Sequence, residues 1–266
     1  MPRQPALFVS HGSPMLPLES SPATAFFAGL GGEIDARWGR PGAILCASAH
    51  WTTAAPRVSL AERPETIHDF YGFPESLYRL TYPAPGAPGV ARDAAAALEA
   101  AGFAVGLDGD YGLDHGAWMP LRMMWPGAEI PVAQIAIQPD LGPAHHIALG
   151  RALASLGAAN VLVIGSGGAV HNLRDLALRR QAGSSATPDW AEDFSAWLEA
   201  AVVAGDEAAL ADYRDRAPGA REAHPTDEHL LPLHFTFGAG GATPGRPLFR
   251  GYTGGSLSMA AFVFAA

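Results

Sequence analysis

Ten histidines are spread through the 266-residue sequence, and several stand where an imidazole can do chemistry. His11 lies in Ser10-His11-Gly12-Ser13-Pro14, His50 in Ser48-Ala49-His50-Trp51, and His171 in Gly165-Ser166-Gly167-Gly168-Ala169-Val170-His171-Asn172. Each follows an apolar run that reads as a strand. Glycine allows close backbone approach to a ligand, and neutral imidazole is a good donor to first-row divalent metals, so these settings suit metal ligation. Taken singly, each also has the plainer reading of a hydrogen-bonded loop histidine. His229 is a fourth candidate, in Pro225-Thr226-Asp227-Glu228-His229-Leu230-Leu231-Pro232-Leu233. Thr226 can cap a helix with Asp227 and Glu228 in its first turn, whereas Pro232 favours a helix that starts later. His224 and His234 cannot share the direction of His229 on such a helix and read as surface or supporting residues.

The remaining histidines divide by context. His115, in Asp114-His115-Gly116, stands between a glycine turn and an apolar helix start, where it can either bind substrate or cap the helix. His68 has aromatic neighbours that can line a pocket for a flat ring or pack a loop. His145 and His146 are adjacent on a predicted helix, diverge by about 100°, and read as structural or solvent-facing. The single cysteine, Cys46, lies in an apolar run, which points to a buried thiol, so any metal must be held by histidines and carboxylates. HExxH, CxxC, GxGxxG, Walker and GxSxG patterns are all missing, which leaves nucleotide binding and serine hydrolysis without their usual signatures.

What must position these residues is an alternation of short apolar runs with Ala/Leu-rich stretches. Strands are predicted at Ala6 to Val9, Ala43 to Ala47, Arg57 to Leu60, Val132 to Ile137, Asn160 to Ile164 and Leu257 to Phe264. Helices are predicted at Val90 to Ala101, Ala144 to Leu156 and Trp190 to Val203, and loops at Tyr82 to Gly89 and Arg180 to Pro188. The pattern is that of an α/β fold, a single domain with a largely parallel central sheet flanked by helices. Residues just past the carboxyl ends of parallel strands converge on one rim, so His11, His50 and His171 become neighbours there. Apolar residues make up 48% of the chain and charged ones 16%, as expected of a turn-rich globular protein with a sizeable core. A formal net charge of -9 with no basic run argues against nucleic-acid or anionic-membrane partners and favours a small ligand. The short apolar stretch at the start is unlike a signal peptide and no later segment is long enough to span a bilayer, so the expectation is a cytoplasmic protein of undetermined oligomeric state.

Taken in order, the His11, His50, His115, His171 and His229 motifs, with Ile67-His68-Asp69-Phe70 and the terminal Gly254-Gly255-Ser256-Leu257-Ser258-Met259, resemble the class III extradiol ring-cleavage dioxygenases of the DODA type, which are 4,5-DOPA extradiol dioxygenase-like. The resemblance covers nearly the whole chain. It implies one catalytic domain spanning residues 1–266, with the metal at the carboxyl rim of the sheet. It further implies metal ligation by His11, His50 and His229, and His171 as the catalytic acid/base or as a fourth ligand when substrate is absent. His115 would position the substrate or the bound oxygen. Better-known ring-cleaving relatives carry a glutamate as third ligand where His229 stands, and the adjacent Glu228 leaves a ligand swap open.

The implied partners are a small aromatic diol and O2, and the product is a muconic semialdehyde. Fe(II) is the expected functional cofactor because oxygen must be activated by a redox-capable ion, with Zn(II) as an inert occupant in isolated protein. Two alternatives stay open at this point. A histidine-bound zinc can activate water for hydrolysis, and the same fold can serve as a metal-free binding protein.

Overall fold

The computed structural model describes residues 3–265, and its centre is an eight-stranded sheet in which the strands that carry the candidate histidines lie side by side. In chain order the strands are β1 (Ala6–Ser10), β2 (Ala43–Thr52), β3 (Arg57–Ser59), β4 (Gly106–Asp108), β5 (Val132–Ile137), β6 (Val161–Gly167), β7 (Arg246–Phe249), β8 (Tyr252–Thr253), β9 (Leu257–Ser258) and β10 (Ala261–Phe264). The main sheet runs β4-β3-β5-β2-β6-β1-β10-β7, and β8 pairs with β9 in a separate ribbon. The pairs β5–β2, β2–β6 and β6–β1 are parallel, whereas β10 is antiparallel to both β1 and β7. The sheet is therefore mostly parallel at its centre, with antiparallel pairings toward both ends, because β3, itself parallel to β4, is antiparallel to β5.

The helices are α1 (Pro22–Trp38), α2 (Glu75–Tyr78), α3 (Pro88–Ala100), α4 (His115–Met124), α5 (Gly142–Ala152), α6 (Leu173–Ala182), α7 (Asp189–Ala204), α8 (Glu207–Ala211), α9 (Tyr213–Arg216), α10 (Ala220–Ala223) and α11 (Leu231–Ala239). They cover both faces of the sheet. Strand alternation divides the core into two layers: Ala6, Phe8, Leu45 and Ala47 face the layer that includes residues of α3, α5, α7 and α11, while Leu7, Val9, Ile44 and Cys46 face the layer of α1 and α4. The central strands are buried on both faces, which explains why their sequences are continuously apolar. Cys46 is a buried thiol, pushed up well above its ordinary pKa by burial and, secondarily, by Asp114.

Several boundaries differ from those predicted, each for a local reason. Strand β2 continues through His50 to Thr52, with an irregularity in its pairing to β5 between Ala47 and Thr52, so His50 lies within the strand. The predicted final strand is broken into β9 and β10 around Met259-Ala260. The α5 helix stops at Ala152, and the chain continues to Ala159 as a 3-10 turn that ends on Asn160 in the left-handed region. The segment before His229 does not form a helix. Helix α11 starts at Leu231 with Pro232 in its first turn, where the missing proline N–H costs nothing, and His229 therefore sits just ahead of a rigid element. No helix among the described residues is long and apolar enough to cross a membrane.

Candidate metal centre

The rim is built by three parallel strand ends. His11 follows β1, and its backbone N–H donates to the Gly167 carbonyl at the end of β6 (2.9 Å), which fixes the two strand ends together. His50 projects from the end of β2. His229 enters from the α11 side, and its carbonyl accepts the Gly168 N–H at 2.8 Å. That approach requires glycine at residue 167, because a Cβ there would collide with the His229 carbonyl. Gly165 is held free of a side chain in the same way by Pro232. The glycine-rich stretch thus lets the α11 segment lie against β6 and present His229.

The result is a cluster in which ligand atoms of His11, His50 and His229 all lie within 4.8 Å of one another. The Nε2 atoms of His11 and His50 are 3.1 Å apart. Each ring is held from behind at Nδ1. Ser166 Oγ is 3.0 Å from His11 Nδ1 and spends its own proton on the Gly116 carbonyl, so His11 must donate through Nδ1 and keep its Nε2 lone pair free. His50 Nδ1 lies 3.3 Å from the Asp69 carboxylate, and His229 Nδ1 donates to Glu228 Oε1 at 3.0 Å. Those acceptors leave the Nε2 lone pairs of His50 and His229 free as well. His229 Nε2 is buried without any hydrogen-bond partner. Converging lone pairs with no proton to share are costly alone and are relieved by a divalent cation, so this donor set fits a metal.

The electrostatics agree with neutral rings. Burial, reinforced by the neighbouring imidazoles, holds His11 and His229 well below the ordinary histidine range. Burial and His115 bring His50 down to about 4 against the opposing pull of Asp114, Asp69 and Glu228. For Asp69, burial would raise the pKa, but the hydrogen bond and charge of His115, with a contribution from His50, outweigh it and hold the carboxyl at about 2. Asp69 is therefore a fixed anion behind two of the rings.

His115 opens α4, capped by Asp114, and its ring centroid is 3.9 Å from that of His50. Its Nδ1 is 2.9 Å from Asp69 Oδ2 and its backbone N–H donates to Asp69 Oδ1. His171 stacks on His229 with centroids 3.4 Å apart and planes 7° from parallel. It groups with Glu228 and His229 rather than with His11 and His50. Burial, opposed by Glu228, brings its pKa to about 4. All five of these histidines line one cavity of about 640 Å³, together with Phe70, Phe73, Leu173, Leu176 and Leu257.

The other histidines serve the fold. His68 donates through Nε2 to the Leu80 carbonyl (2.9 Å) and packs among Phe70, Tyr78 and Trp118. His145 contacts Gln138, and His146 bridges the Gln138 N–H and the Gly142 carbonyl. His224 and His234, read from sequence as surface or supporting groups, are fully buried, because α10 and α11 turn them into the core against the carbonyls of Ala169, Leu230 and Leu210. A second groove of about 570 Å³ lies beside α7, away from the histidine cluster, and its Arg250 is already bidentate with Glu199.

Residues 5–262 match the family described as the catalytic LigB subunit of aromatic ring-opening dioxygenase. The chain belongs to this family. Among similar proteins, the 4,5-DOPA dioxygenase extradiol of Portulaca grandiflora is 41% identical, with 97% of this chain and 95% of the relative covered. The 4,5-DOPA dioxygenase extradiol of Escherichia coli K12 is 39% identical, covering 97% of this chain and 93% of the relative. A crystal structure of an uncharacterized Escherichia coli K12 protein superposes with a TM-score of 0.81 at 33% identity, over 99% of this chain and 100% of the other. For a ring-opening dioxygenase, the parts that the sequence alone left unmarked are Asp69, Ser166 and the buried Asp114. Asp114 accepts from Ser48 (2.6 Å) and Gln134 (2.8 Å) and fixes the start of α4. Polar residues one strand or one turn from a candidate ligand are the signal that points to such supporting groups.

Proposed function

We propose that this protein is an extradiol dioxygenase that opens a DOPA-like catechol ring by 4,5-cleavage, with His11, His50 and His229 holding a divalent metal. The observation that carries the reading is the convergence of three Nδ1-anchored imidazoles on one unpartnered point beside an aromatic-lined cavity. Fe(II) is the metal proposed, because an ion held there by His11, His50 and His229 would supply the redox chemistry toward O2 that Zn(II) lacks. Both atoms of O2 enter the product as the C–C bond beside the diol breaks, giving the semialdehyde.

The chain's own residues supply positioning and proton handling. His171, neutral at ordinary pH and facing the cavity, accepts the hydroxyl proton of the catechol at a ring nitrogen and returns a proton later. His115, held by Asp69 through its backbone N–H and with its ring Nδ1 2.9 Å from the same carboxylate, sets the orientation of the diol or of oxygen. Phe70 and Phe73 present apolar surface to the ring and exclude water. The single catalytic unit spans the described chain, and the substrate partners are a small diol and O2, with cytoplasmic location as the proposed setting.

The test is direct. Protein reconstituted anaerobically with Fe(II) and given DOPA should consume oxygen and turn yellow when air is admitted. Absence of oxygen uptake with DOPA and with other catechols would favour zinc hydrolysis or a metal-free scaffold.

A further inference from the structure

Helix α6 begins directly after His171, capped by the Asn172 side chain, and lays one stripe along the cavity: Leu173, Leu176, Ala177 and Arg180 at positions i, i+3, i+4 and i+7. Three of these are apolar. The fourth is a guanidinium at the far end, about 10 Å along the helix axis from Leu173 at 1.5 Å per residue. Among the described residues, Arg180 is the cavity's one lining Lys or Arg, and its side chain makes no ion pair or hydrogen bond within the protein. Its neighbour Arg179 behaves differently, being committed to Asp175 at 2.6 Å and to the Ala186 carbonyl at 3.0 Å. Among the described residues, the one carboxylate lining the same cavity is Asp69, which His50 and His115 already occupy. The cavity therefore offers a free cation at its outer end and no free anion.

We infer that Arg180 reads the tail of the substrate, binding the carboxylate of an aromatic diol that carries one on a short side chain, while an ammonium on that tail goes unrecognised. This rests on the ring-opening reading above, and it narrows the substrate class to catechol carboxylates. The diol end lies at the histidine cluster, the ring against Phe70 and Phe73, and the tail runs along the α6 stripe to the guanidinium. A planar guanidinium pairs with a carboxylate through two parallel N–H donors, which a neutral or cationic tail cannot accept. Amino acid and amine catechols are thus separated by the carboxylate alone.

Anaerobic calorimetry on the Fe(II)-loaded protein tests this without turnover, using 3-(3,4-dihydroxyphenyl)propionate, 4-ethylcatechol and dopamine. The propionate is expected to bind about tenfold more tightly than the other two at low ionic strength, with the preference shrinking as salt rises. In Arg180→Gln that preference should fall to near one, and Arg180→Lys should restore part of it. Equal affinity for all three ligands in the wild type, or a preference that survives Arg180→Gln, would overturn the role of Arg180 while leaving ring opening intact. Failure of every catechol to bind the iron-loaded protein would instead remove the ring-opening reading and this inference with it.

Discussion

Two groups of histidines occupy this fold, both buried and both shifted toward the neutral form, yet they are wired in opposite ways. In the core, His146 accepts the Gln138 N–H and donates to the Gly142 carbonyl, and both nitrogens of His234 face backbone carbonyls. At the rim, His11, His50 and His229 are held only at Nδ1, by a hydroxyl and two carboxylates, and their Nε2 atoms converge. Burial alone does not distinguish structure from function here. What distinguishes them is which nitrogen is already committed, and whether the partner is backbone or a side chain that fixes the tautomer.

The strongest way to break this contrast is to remove one imidazole from each group. His229→Ala should lose stoichiometric metal and all ring cleavage, measured by metal analysis and oxygen uptake, with the fold retained by circular dichroism. His171→Ala should keep its metal and lower turnover on the order of a hundred- to ten-thousand-fold, since it removes a proton carrier and leaves the three converging nitrogens in place. Ring cleavage at the wild-type rate in metal-replete His171→Ala would take His171 out of the chemistry.

Smaller changes sharpen the comparison. Asp69→Asn removes the anion behind His50 and His115, and metal affinity should weaken by about 10- to 100-fold in a competition titration, as for other supporting partners of metal-bound histidines. His146→Ala should do the reverse: iron binds with wild-type stoichiometry, while stability falls by about 1–3 kcal/mol because the buried Gln138 N–H loses its acceptor. Urea unfolding reads that difference.

The core group also makes a pH prediction. Burial holds His146 at about 3 and His234 at about 4, against the upward pull of their backbone hydrogen bonds and, for His146, with small further depression from His145 and His234. In the unfolded chain these rings titrate near the ordinary value of about 6.5. Because the folded values are depressed, their contribution to stability is full above about 6.5 and is lost as pH falls toward 4 and 3. Melting temperature of the metal-free protein should therefore decline across that interval, and in His146→Ala the decline should be shallower.

Much of the site could be read from residue order because parallel strands carry their meaning at one end. A histidine immediately after an apolar run, as at His11, is placed on the rim by topology alone. Sequence was weaker where position depends on a turn of backbone: His50 lies inside β2 rather than beyond it, and His229 precedes α11 because Pro232 must fall in the first turn. It was weakest for His224 and His234, polar residues whose burial is decided by carbonyls from distant segments, Ala169 and Leu210. Asp69 and Ser166 were legible as residues but not as partners, since Asp69 meets His50 from the loop after β3 and Ser166 meets His11 from the neighbouring strand β6, far along the sequence. The helix α1 contains Gly31, whose missing side chain permits contact with the Met124 carbonyl, a packing reason that propensity cannot express.

The central claim is that three imidazoles, each through Nε2, hold one ion. X-ray absorption fine structure on protein loaded with one equivalent of Fe(II) measures it most directly. The account predicts an imidazole count that falls by one, or loss of the ion, in each of His11→Ala, His50→Ala and His229→Ala, and no change in His146→Ala. Iron bound with an unaltered imidazole shell after any of the first three replacements would contradict it.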